Sequence, residues 1–328
     1  MTTFNWGIIA PGRIARSFAE GLRVVEGATL LGVASSNVQR ATAFAKEYGA
    51  ERTYDSYQAM AQDPDIDAIY IANPHRFHFE TAELCLKAGK PVLCEKPLTV
   101  SAGQTEALIA LAREHKVFLM EALWSRFLPV WQQVKRWLDE GVIGEVSMIQ
   151  SSFGFDVPRD PGDRMLNRDL AGGVLLDMGV YNVALSQFVM GRDPESISVD
   201  GIVGETGVDE QTSMTLNYGG PVSQFTCSFQ VKLNNDMIIY GSKGKITVHD
   251  MFWSCHSATL SLLNGEQQQF DGPFQSSGFE YQAMEVMRCL KEGKLQSDTI
   301  PWLDTLGNMQ VMEQALNKLG VHYPFLDN

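Results

Sequence analysis

Three side chains of this sequence could together take a proton and a hydride from a secondary alcohol. Lys96 follows an apolar run, and Asp177 and Tyr181 stand four residues apart in the apolar segment 172–183. Alcohol oxidation needs a group that accepts the hydroxyl proton and a positive charge that stabilises the alkoxide. Four-residue spacing puts Asp177 and Tyr181 on one face of a helix. A neighbouring ammonium favours the ionised phenol, so Lys96 could help Tyr181 to act as the base.

Each of these residues also has a purely structural interpretation. Lys96 could open the next helical segment, Asp177 could be a charge on a helix surface, and Tyr181 could be a half-buried core aromatic. The run VLLDMGV around Asp177 is otherwise apolar, which makes a purely solvated role less natural. If Tyr181 is not the base, the remaining candidates are Asp177, His75 and His78.

The stretch WGIIAPGRIARSF, which starts at Trp6, passes from an apolar run into a predicted helix. A dinucleotide site there needs a tight bend, a residue without a side chain near the pyrophosphate, and a small residue where helix meets sheet. Ala10, Gly12 and Ala15 occupy these positions. Ala10 replaces the usual first glycine, and we expect it in a turn with negative φ. A strand, turn and helix without a ligand is the alternative. The predicted cofactor contacts of this turn are Ala10, Pro11, Gly12, Arg13 and Ile14.

The end of the second predicted strand, VASSNVQR, indicates which dinucleotide binds. An NAD site usually carries an acidic residue about 20 residues beyond the glycines, whereas an NADP site supplies a cation. The small hydrogen-bonding groups here are Ser35, Ser36 and Asn37. Arg40 follows closely and could pair with a phosphate, although a solvated charge on the second helix is its alternative role. The sequence therefore predicts NADP, with NAD as the less favoured cofactor.

Three further segments complete the pattern: IANPHRFH at 71–78, VLCEKPLT at 92–99 and GGVLLDMGVYNV at 172–183. With the nucleotide turn they resemble the glucose-fructose oxidoreductase and inositol dehydrogenase (Gfo/Idh/MocA) family of NAD(P)-dependent dehydrogenases. The resemblance covers essentially the whole chain, and Glu-Lys-Pro at 95–97 is its most specific part. Within the family, FLMEALWSRFLP, ETGVDE and FTCS are most similar to dimeric trans-dihydrodiol dehydrogenases and NADP-dependent D-xylose dehydrogenases. Many relatives carry His in place of Tyr181, whereas that subgroup carries Tyr.

The resemblance implies roles for further residues. It assigns catalysis to Lys96, Asp177 and Tyr181, and it implies a cis peptide before Pro97. The implied cofactor contacts beyond the first two strands are Ala72, Asn73, Pro74, His75, His78, Glu95, Lys96, Trp124 and Arg126. Core packing explains aromatic residues equally well, but the implied lining of the substrate cleft is Phe153, Phe155 and Phe279. No acidic or cysteine ligand accompanies the two histidines locally, so we expect no metal.

The elements that must position these residues emerge from the hydrophobic pattern. The strand candidates NWGIIA, TLLGVAS, DAIYIA, PVLCE and VFLM alternate with predicted helices near 12–25, 38–48, 77–89 and 101–115. This alternation predicts a parallel sheet covered on both faces. Past about Leu123 come the strand EVSMIQSSFGF, strand-rich segments, and predicted helices near 129–140 and 174–190. The turn signals NYGGP and GSKGK predict a mostly antiparallel second sheet over 195–270.

The predicted fold class is therefore α/β, with two domains. A Rossmann domain with a doubly wound parallel sheet is predicted over 1–122. An α+β domain with a large, mostly antiparallel open sheet is predicted over 123–328. We expect this second domain to bind the substrate. The strands SMTLNY, VSQFTCSFQV and MIIYGS place apolar residues on both faces, so we expect a homodimer through the open face.

The composition excludes several classes of partner. The 328 residues are 45% hydrophobic and 20% charged, with a formal net charge of −13. Nucleic acids and anionic membranes attract basic surfaces, so we expect neither as a partner. The absence of a signal-like start and of a membrane-length apolar run predicts a cytoplasmic protein. Five scattered cysteines without a Cys-x-x-Cys pair make disulfides and structural zinc unexpected.

Chemistry and resemblance together predict NADP-dependent hydride transfer involving a cyclic secondary alcohol. The substrate would be the C1 hydroxyl of an aldose such as D-xylose, or a trans-dihydrodiol. An NADPH-dependent reductase of dicarbonyls or keto sugars is the alternative enzyme. A non-catalytic NAD(P)- or sugar-sensing regulator is the alternative of another class, and it would need the cofactor turn but not Lys96 and Tyr181.

Overall fold

The computed structural model describes residues 3–326, which form two compact units. The first unit comprises the described residues up to Trp124 together with Gln275–Thr305. The second comprises Ser125–Phe274 and the described residues from Leu306 onward. The predicted domains 1–122 and 123–328 differ from these units in two respects: the first unit extends to Trp124, and it includes Gln275–Thr305.

The segment Gln275–Thr305 belongs to the first unit because its polar groups are satisfied there. The hydroxyl of Ser277 donates to the carbonyl of Ser17 at 2.6 Å. The indole N–H of Trp302 donates to the carbonyl of Leu119 at 2.8 Å, at the start of a strand at the edge of the parallel sheet. Single hydrogen bonds between residues far apart in sequence leave no periodic pattern. The sequence alone therefore could not predict that 275–305 belongs to the first unit.

A parallel sheet forms the centre of the first unit. Its strands β1 to β6 span Phe4–Ile9, Ala28–Ala34, Arg52–Tyr54, Ala68–Ile71, Val92–Glu95 and Leu119–Ala122. Every neighbouring pair is parallel, and the order is β3-β2-β1-β4-β5-β6, which is the doubly wound arrangement of dinucleotide-binding domains. The helices α1 to α5 span Arg13–Leu22, Val38–Tyr48, Tyr57–Gln62, His78–Lys87 and Ala102–His115. The predicted parallel sheet is confirmed, whereas β3 and α3 are too short for their periodicity to predict them.

Local sequence explains how these elements form. The apolar residues Ala15, Phe18 and Leu22 recur at helical spacing and give α1 one buried face. The ring of Phe18 stacks on that of Tyr70 in β4, with centroids 3.9 Å apart. Asn37 caps α2, since its side-chain oxygen accepts the backbone N–H three residues later at 3.1 Å.

An eight-stranded sheet forms the second unit. Its strands β7 to β14 span Val146–Gly154, Ser196–Val203, Asp209–Asn217, Val222–Ser228, Met237–Gly241, Gly244–Val248, Ser257–Leu262 and Gln267–Asp271. Their order is β14-β13-β12-β11-β7-β10-β9-β8. All pairs are antiparallel except β7 with β10. The mostly antiparallel sheet is therefore confirmed.

The helix predicted near 174–190 is partly of another type. A π-helical turn spans Leu175–Gly179 and leads into α7, Val180–Met190. Every residue from Val180 to Gln187 is buried, which explains why this helix has no charged face. Its buried polar side chains are hydrogen-bonded, such as Asn182 to Ser151 and Gln187 to Asn308. The window Arg168–Met190 is long and apolar enough to cross a membrane, but 83% of it is buried inside the protein, as in a core helix. The remaining helices are α6, α8 and α9, which span Pro129–Asp139, Glu280–Lys291 and Trp302–Leu319.

Candidate active site

The turn between β1 and α1 leaves room for a phosphate at Gly12. A Cβ built on Gly12 would meet nothing closer than the carbonyl oxygen of Ala10 at 3.9 Å. Within residues 3–326 no side chain caps α1, so the amides at its start can meet an anion. Pro11 is buried beneath the turn, whereas Arg13 and Ile14 are exposed.

Ala10 does not have the negative φ that we expected. Its φ is 63°, in the left-handed region where glycine is usual. The reason is the tightness of the bend: Ala10 donates to the carbonyl of Ala34 in β2, at 2.9 Å, while its own carbonyl accepts the N–H of Gly12 at 2.8 Å. The missing glycine is therefore replaced by a strained alanine rather than by a different turn.

The end of β2 carries the residues predicted to select the cofactor. The hydroxyl of buried Ser35 accepts the N–H of Asn37 at 3.2 Å, and Asn37 caps α2, so both residues shape the turn. Ser36 and Arg40 are exposed. Burial raises the pKa of Tyr57 and the nearby Arg40 charge opposes that rise, which places the guanidinium near this ring. An exposed cation beyond β2 suits a phosphate on the adenosine ribose.

His78 ties together the loops that follow β4 and β5. It is fully buried, and its Nδ1 and Nε2 lie 2.8 Å from the carbonyl oxygens of Pro97 and Asn73. The N–H of Leu98 donates to buried Glu121 at 3.0 Å. The Lys96–Pro97 peptide is cis, as the resemblance implies. Since both ring nitrogens of His78 face backbone, its placement favours a bracing role over the predicted direct contact with a cofactor.

Glu95 and Lys96 stand at the carboxyl end of β5, the edge where open α/β sheets bind ligands. The carboxylate of Glu95 is buried and accepts the hydroxyl of Tyr70 at 2.5 Å and the backbone N–H of Lys96 at 3.2 Å. Lys96 itself is partly exposed. The buried acid thus fixes the backbone from which the Lys96 side chain projects.

Asn73 offers a buried acceptor at the end of β4. Its amide group donates to the hydroxyl of Thr81 at 2.7 Å, but its Oδ1 has no hydrogen-bond partner among residues 3–326. It is 8% exposed, and buried polar atoms normally find partners. Ala72 and Pro74 flank it, and buried His75 begins the 3-10 turn that follows. The spare acceptor and the open space at Gly12 both fit a dinucleotide.

Trp124, Phe279 and Arg126, which were predicted to contact the cofactor or the substrate, do not all lie in the same unit. The rings of Trp124 and Phe279, both in the first unit, stack with centroids 4.6 Å apart. Arg126 is fully buried in the second unit, where it donates to the carbonyl of Ala184 at 3.0 Å and lies over the ring of Phe188. This placement favours a packing role for Arg126 over the predicted contact with a cofactor.

Tyr181 lies in an aromatic cluster of the second unit. Its ring centroid is 6.0 Å from that of Phe153 and 6.5 Å from that of Trp253. Phe153 stacks on Trp253 with centroids 3.4 Å apart, and half-buried Phe155 meets both rings edge-on at 6.0 Å. The structure thus groups Phe153 and Phe155 with Tyr181. Trp253 was not predicted, because only folding brings its 3-10 turn to this cluster.

Asp177 pairs with an arginine that the sequence did not single out. Nη1 of Arg164 lies 2.7 Å from Oδ1 of Asp177, which is 9% exposed. A nearly buried carboxylate requires a cation or several hydrogen-bond donors, so a partner for Asp177 was to be expected. The sequence does not indicate which residue that partner is. The ion pair engages the Asp177 carboxylate with a cation, which makes it a weaker candidate for the base than Tyr181.

The shared face of Asp177 and Tyr181 was predicted from α-helical spacing. Asp177 instead lies in the π-helical turn and Tyr181 in the first turn of α7. In a π-helix the hydrogen bonds join residues five apart, so Asp177 and Tyr181, which are four apart, are still separated by most of one turn. Such turns are frequent at functional sites. Among residues 3–326 no group of three or more His, Cys, Asp or Glu could hold a metal ion.

Proteins with similar sequences and folds show the family of this chain. Residues 4–123 match an oxidoreductase family with an NAD-binding Rossmann fold, and residues 131–247 match the GFO/IDH/MocA C-terminal domain. A trans-1,2-dihydrobenzene-1,2-diol dehydrogenase from Xenopus tropicalis is 36% identical over 98% of this chain and 99% of its own. The fold matches that of aldose-aldose oxidoreductase from Caulobacter crescentus, with TM-score 0.89, 22% identity, and 97% and 98% of the two chains covered. A 3-ketoreductase from Actinomadura kijaniata, solved with NADP and TDP-benzene, has TM-score 0.84 and 27% identity over 96% and 98% of the chains. The chain belongs to the Gfo/Idh/MocA family of oxidoreductases.

Proposed function

We propose that this enzyme transfers a hydride between NADP and a cyclic secondary alcohol. The substrate is the C1 hydroxyl of an aldose such as D-xylose, or one hydroxyl of a trans-dihydrodiol. The observation that carries the proposal is a nearly buried phenol, Tyr181, set among the aromatic rings of Phe153, Phe155 and Trp253. Aromatic walls suit the faces of a ring-shaped substrate, and a phenol among them can reach its hydroxyl. The name of the Xenopus relative supports the diol, and that of the Caulobacter protein the sugar.

The first unit supplies the groups that would hold NADP, which when bound accepts or donates the hydride at its nicotinamide ring. Gly12 and the first amides of α1 would receive the pyrophosphate. Exposed Arg40 would pair with the 2′-phosphate, and no acidic side chain at 35–37 would repel it. The spare Oδ1 of Asn73 would accept a hydrogen bond from the nicotinamide end. The Actinomadura relative with NADP supports this choice, while the family description leaves NAD as the second candidate.

Tyr181 and Lys96 divide the proton chemistry. Tyr181 accepts the proton of the substrate hydroxyl, and the Lys96 ammonium stabilises the negative charge that develops. Glu95 and the backbone around Pro97 hold Lys96 in place. Arg164 keeps Asp177 paired, so that this carboxylate does not compete for the proton.

The same residues could run the reaction in the opposite direction. An NADPH-dependent reductase of keto sugars or dicarbonyls would use Tyr181 as the proton donor. The 27% identity to a 3-ketoreductase favours keeping this as the second candidate. A sensor that binds NADP without turnover would need neither Tyr181 nor Lys96.

A spectrophotometric screen at 340 nm tests the proposal. Purified protein is offered NADP+ or NAD+ with aldoses and trans-diols, and NADPH with keto sugars and dicarbonyls, with Tyr181→Phe protein as the matched control. We expect turnover of NADP+ with a cyclic alcohol that the control lacks. Turnover only with NADPH and a carbonyl compound would favour the reductase. Binding of NADP without turnover of any substrate would favour the sensor.

We also propose that the protein is a homodimer through the open face of the second sheet. Inward-facing residues such as Ile149 and Ile239 are fully buried. The register aligns alternate residues into cross-strand rows on the other face, and the central row is Met148, Val222 and Tyr240. The adjoining row is Gln150, Gln224 and Ile238. Within these three central strands neither row contains a charge, and the first charge in the central row is Lys245 of β12, beside Tyr240. A sheet face with partly exposed apolar groups at its centre is typical of a surface that pairs with a second copy.

A further inference from the structure

One carboxylate that the proposed chemistry does not use lies behind the segment that carries Asp177 and Tyr181. Asp209, the first residue of β9, is fully buried. Its Oδ2 accepts the backbone N–H of Leu175 at 2.8 Å and the hydroxyl of Thr212 at 2.9 Å. Leu175 begins the π-helical turn, two residues before Asp177 and six before Tyr181. Asp209 therefore holds the start of the site helix.

The hydrogen bond of Asp209 with the first turn of the site helix, which we call the Asp209 anchor, requires a carboxylate to be buried away from water. A contribution to stability does not by itself explain this cost in free energy. Burial raises the pKa of Asp209 to about 6, because few donors compensate the charge away from water. Apolar replacement of buried charged groups is often neutral or stabilising. Carboxylates are nevertheless favourable at a helix N-terminus, where they satisfy amides that lack partners within the helix. The Asp209 carboxylate makes a directional hydrogen bond with the N-terminal end of the helix, and an apolar residue could not make that bond.

The neighbouring backbone is shaped around this carboxylate. Gly173 has φ of 126°, and a Cβ on it would collide with Oδ1 of Asp209. The buried hydroxyl of Tyr323 donates to the carbonyl of Gly172 at 2.6 Å, which fixes the same turn from the other side. The chain thus enters the site helix through a turn that both Asp209 and Tyr323 constrain.

We propose that Asp209 is a positioning residue for hydride transfer. It fixes the first turn of the site helix, and through that turn it fixes the direction of the Tyr181 phenol and of the Asp177 carboxylate. This inference rests on the proposed function, since the direction of Tyr181 matters only if Tyr181 exchanges a proton with a substrate. A misplacement of about 1 Å at a reacting group can lower turnover on the order of 100-fold.

The two hydrogen bonds suggest a discriminating pair of variants. Both bonds end on Oδ2, so the amide oxygen of Asp209→Asn can accept them while the charge is removed. Asp209→Ala removes both. A matched control is Asn308→Ala, because Asn308 accepts a buried hydrogen bond from Gln187 at 2.8 Å, near the far end of α7. The control disturbs the same helix without touching its first turn.

The test compares kcat, substrate KM, the Kd for NADP, and amide hydrogen exchange at 174–181 in the full-length variants. We expect Asp209→Ala to lower kcat roughly 10- to 100-fold, to leave the Kd for NADP unchanged, and to accelerate exchange at 174–181. Asp209→Asn should keep kcat within about threefold and exchange as in the wild type, and Asn308→Ala should keep kcat.

Three results would overturn the inference. They are full kcat in Asp209→Ala, an equal kcat loss in Asp209→Asn and Asp209→Ala, and an equal loss in the Asn308→Ala control. The last result would mean that any weakening of the helix lowers activity. Wild-type turnover decides the proposed function separately, and the exchange rates at 174–181 report on the anchor even if no substrate is turned over.

Discussion

At the scale of single residues, Tyr181 and Lys96 carry the proposed proton transfer, and their coupling can be measured. Tyr181→Phe keeps the ring that packs near Phe153 but removes the proton acceptor. We expect turnover to fall roughly 10²- to 10⁴-fold with NADP binding little changed. Lys96→Met should cost at least as much, and the double variant should be little worse than the poorer single one, because residues acting as one unit are not additive. Losses that multiply would instead assign Lys96 a separate role on the nicotinamide.

Arg40 is the residue that we expect to decide between the two cofactors. If its exposed guanidinium pairs with the 2′-phosphate, Arg40→Ala should weaken NADP binding by about 1.5–3 kcal/mol, the value of a hydrogen bond to a charged group. NAD lacks that phosphate, so its affinity should stay nearly constant. Titration of both cofactors followed by protein fluorescence checks this. A similar loss for NAD and NADP would remove Arg40 from the site.

Ala10 has a left-handed backbone conformation that favours glycine over alanine. A left-handed alanine costs about 1–2 kcal/mol, while glycine gains freedom in the unfolded chain. We therefore expect Ala10→Gly to raise the free energy of unfolding by roughly 0.5–1 kcal/mol. Ala43→Gly, at an exposed position of α2, is the control and should lower that free energy by about 1 kcal/mol. Urea denaturation measures both, and destabilisation by Ala10→Gly would show that the turn does not strain alanine.

At the scale of elements, the sequence predicts best what local pattern determines. The helix α2 has the predicted bounds 38–48, because Asn37 is a capping residue and Gly49 ends the helix. The π-helical turn could not be predicted, since Asp209, which accepts the N–H of its first residue, stands 34 residues later in the chain, on β9. The ion pair between Arg164 and Asp177 likewise joins a loop to a helix. Non-local contacts of this kind leave no periodic trace in the sequence.

The Asp209 anchor also predicts how stability depends on pH. Its pKa rises from 3.8 to about 6 on folding, so the folded state binds a proton more tightly than the unfolded state. This contribution to stability is complete below about pH 4 and is lost as the pH rises through 6. Between pH 7.5 and pH 5, wild-type protein should therefore gain on the order of 1 kcal/mol relative to Asp209→Asn. Urea unfolding of both proteins at the two pH values measures the difference, and a constant difference would mean that Asp209 does not titrate in this range.

At the scale of the whole molecule, the two sheets were predictable and the path of the chain was not. Alternating strands and helices in the first third predict the parallel sheet, and short turns predict the antiparallel one. The return of 275–305 to the first unit rests on contacts such as that of Trp302 with Leu119. A linear division into 1–122 and 123–328 therefore cannot include the return of 275–305 to the first unit. Which surface would face a second copy, as proposed, is likewise a property of the assembled sheet.

The open sheet face gives the assembly prediction a precise target. Ile238 lies between the uncharged residues Gln150 and Thr247 in its cross-strand row, whereas Lys245 stands beside Tyr240 in the adjoining row. A buried carboxylate without a cation is strongly unfavourable, so Ile238→Glu should convert the expected dimer to monomer at micromolar concentration. Gln268→Glu, at an exposed position of the edge strand β14, introduces the same charge on the other face of the sheet, because its register partners are Leu260 and, beyond it, Ile246. This variant should leave the dimer intact. Light scattering measures the mass of each protein. A wild-type monomer, or a dimer that tolerates Ile238→Glu as well as Gln268→Glu, would rule out pairing through this face.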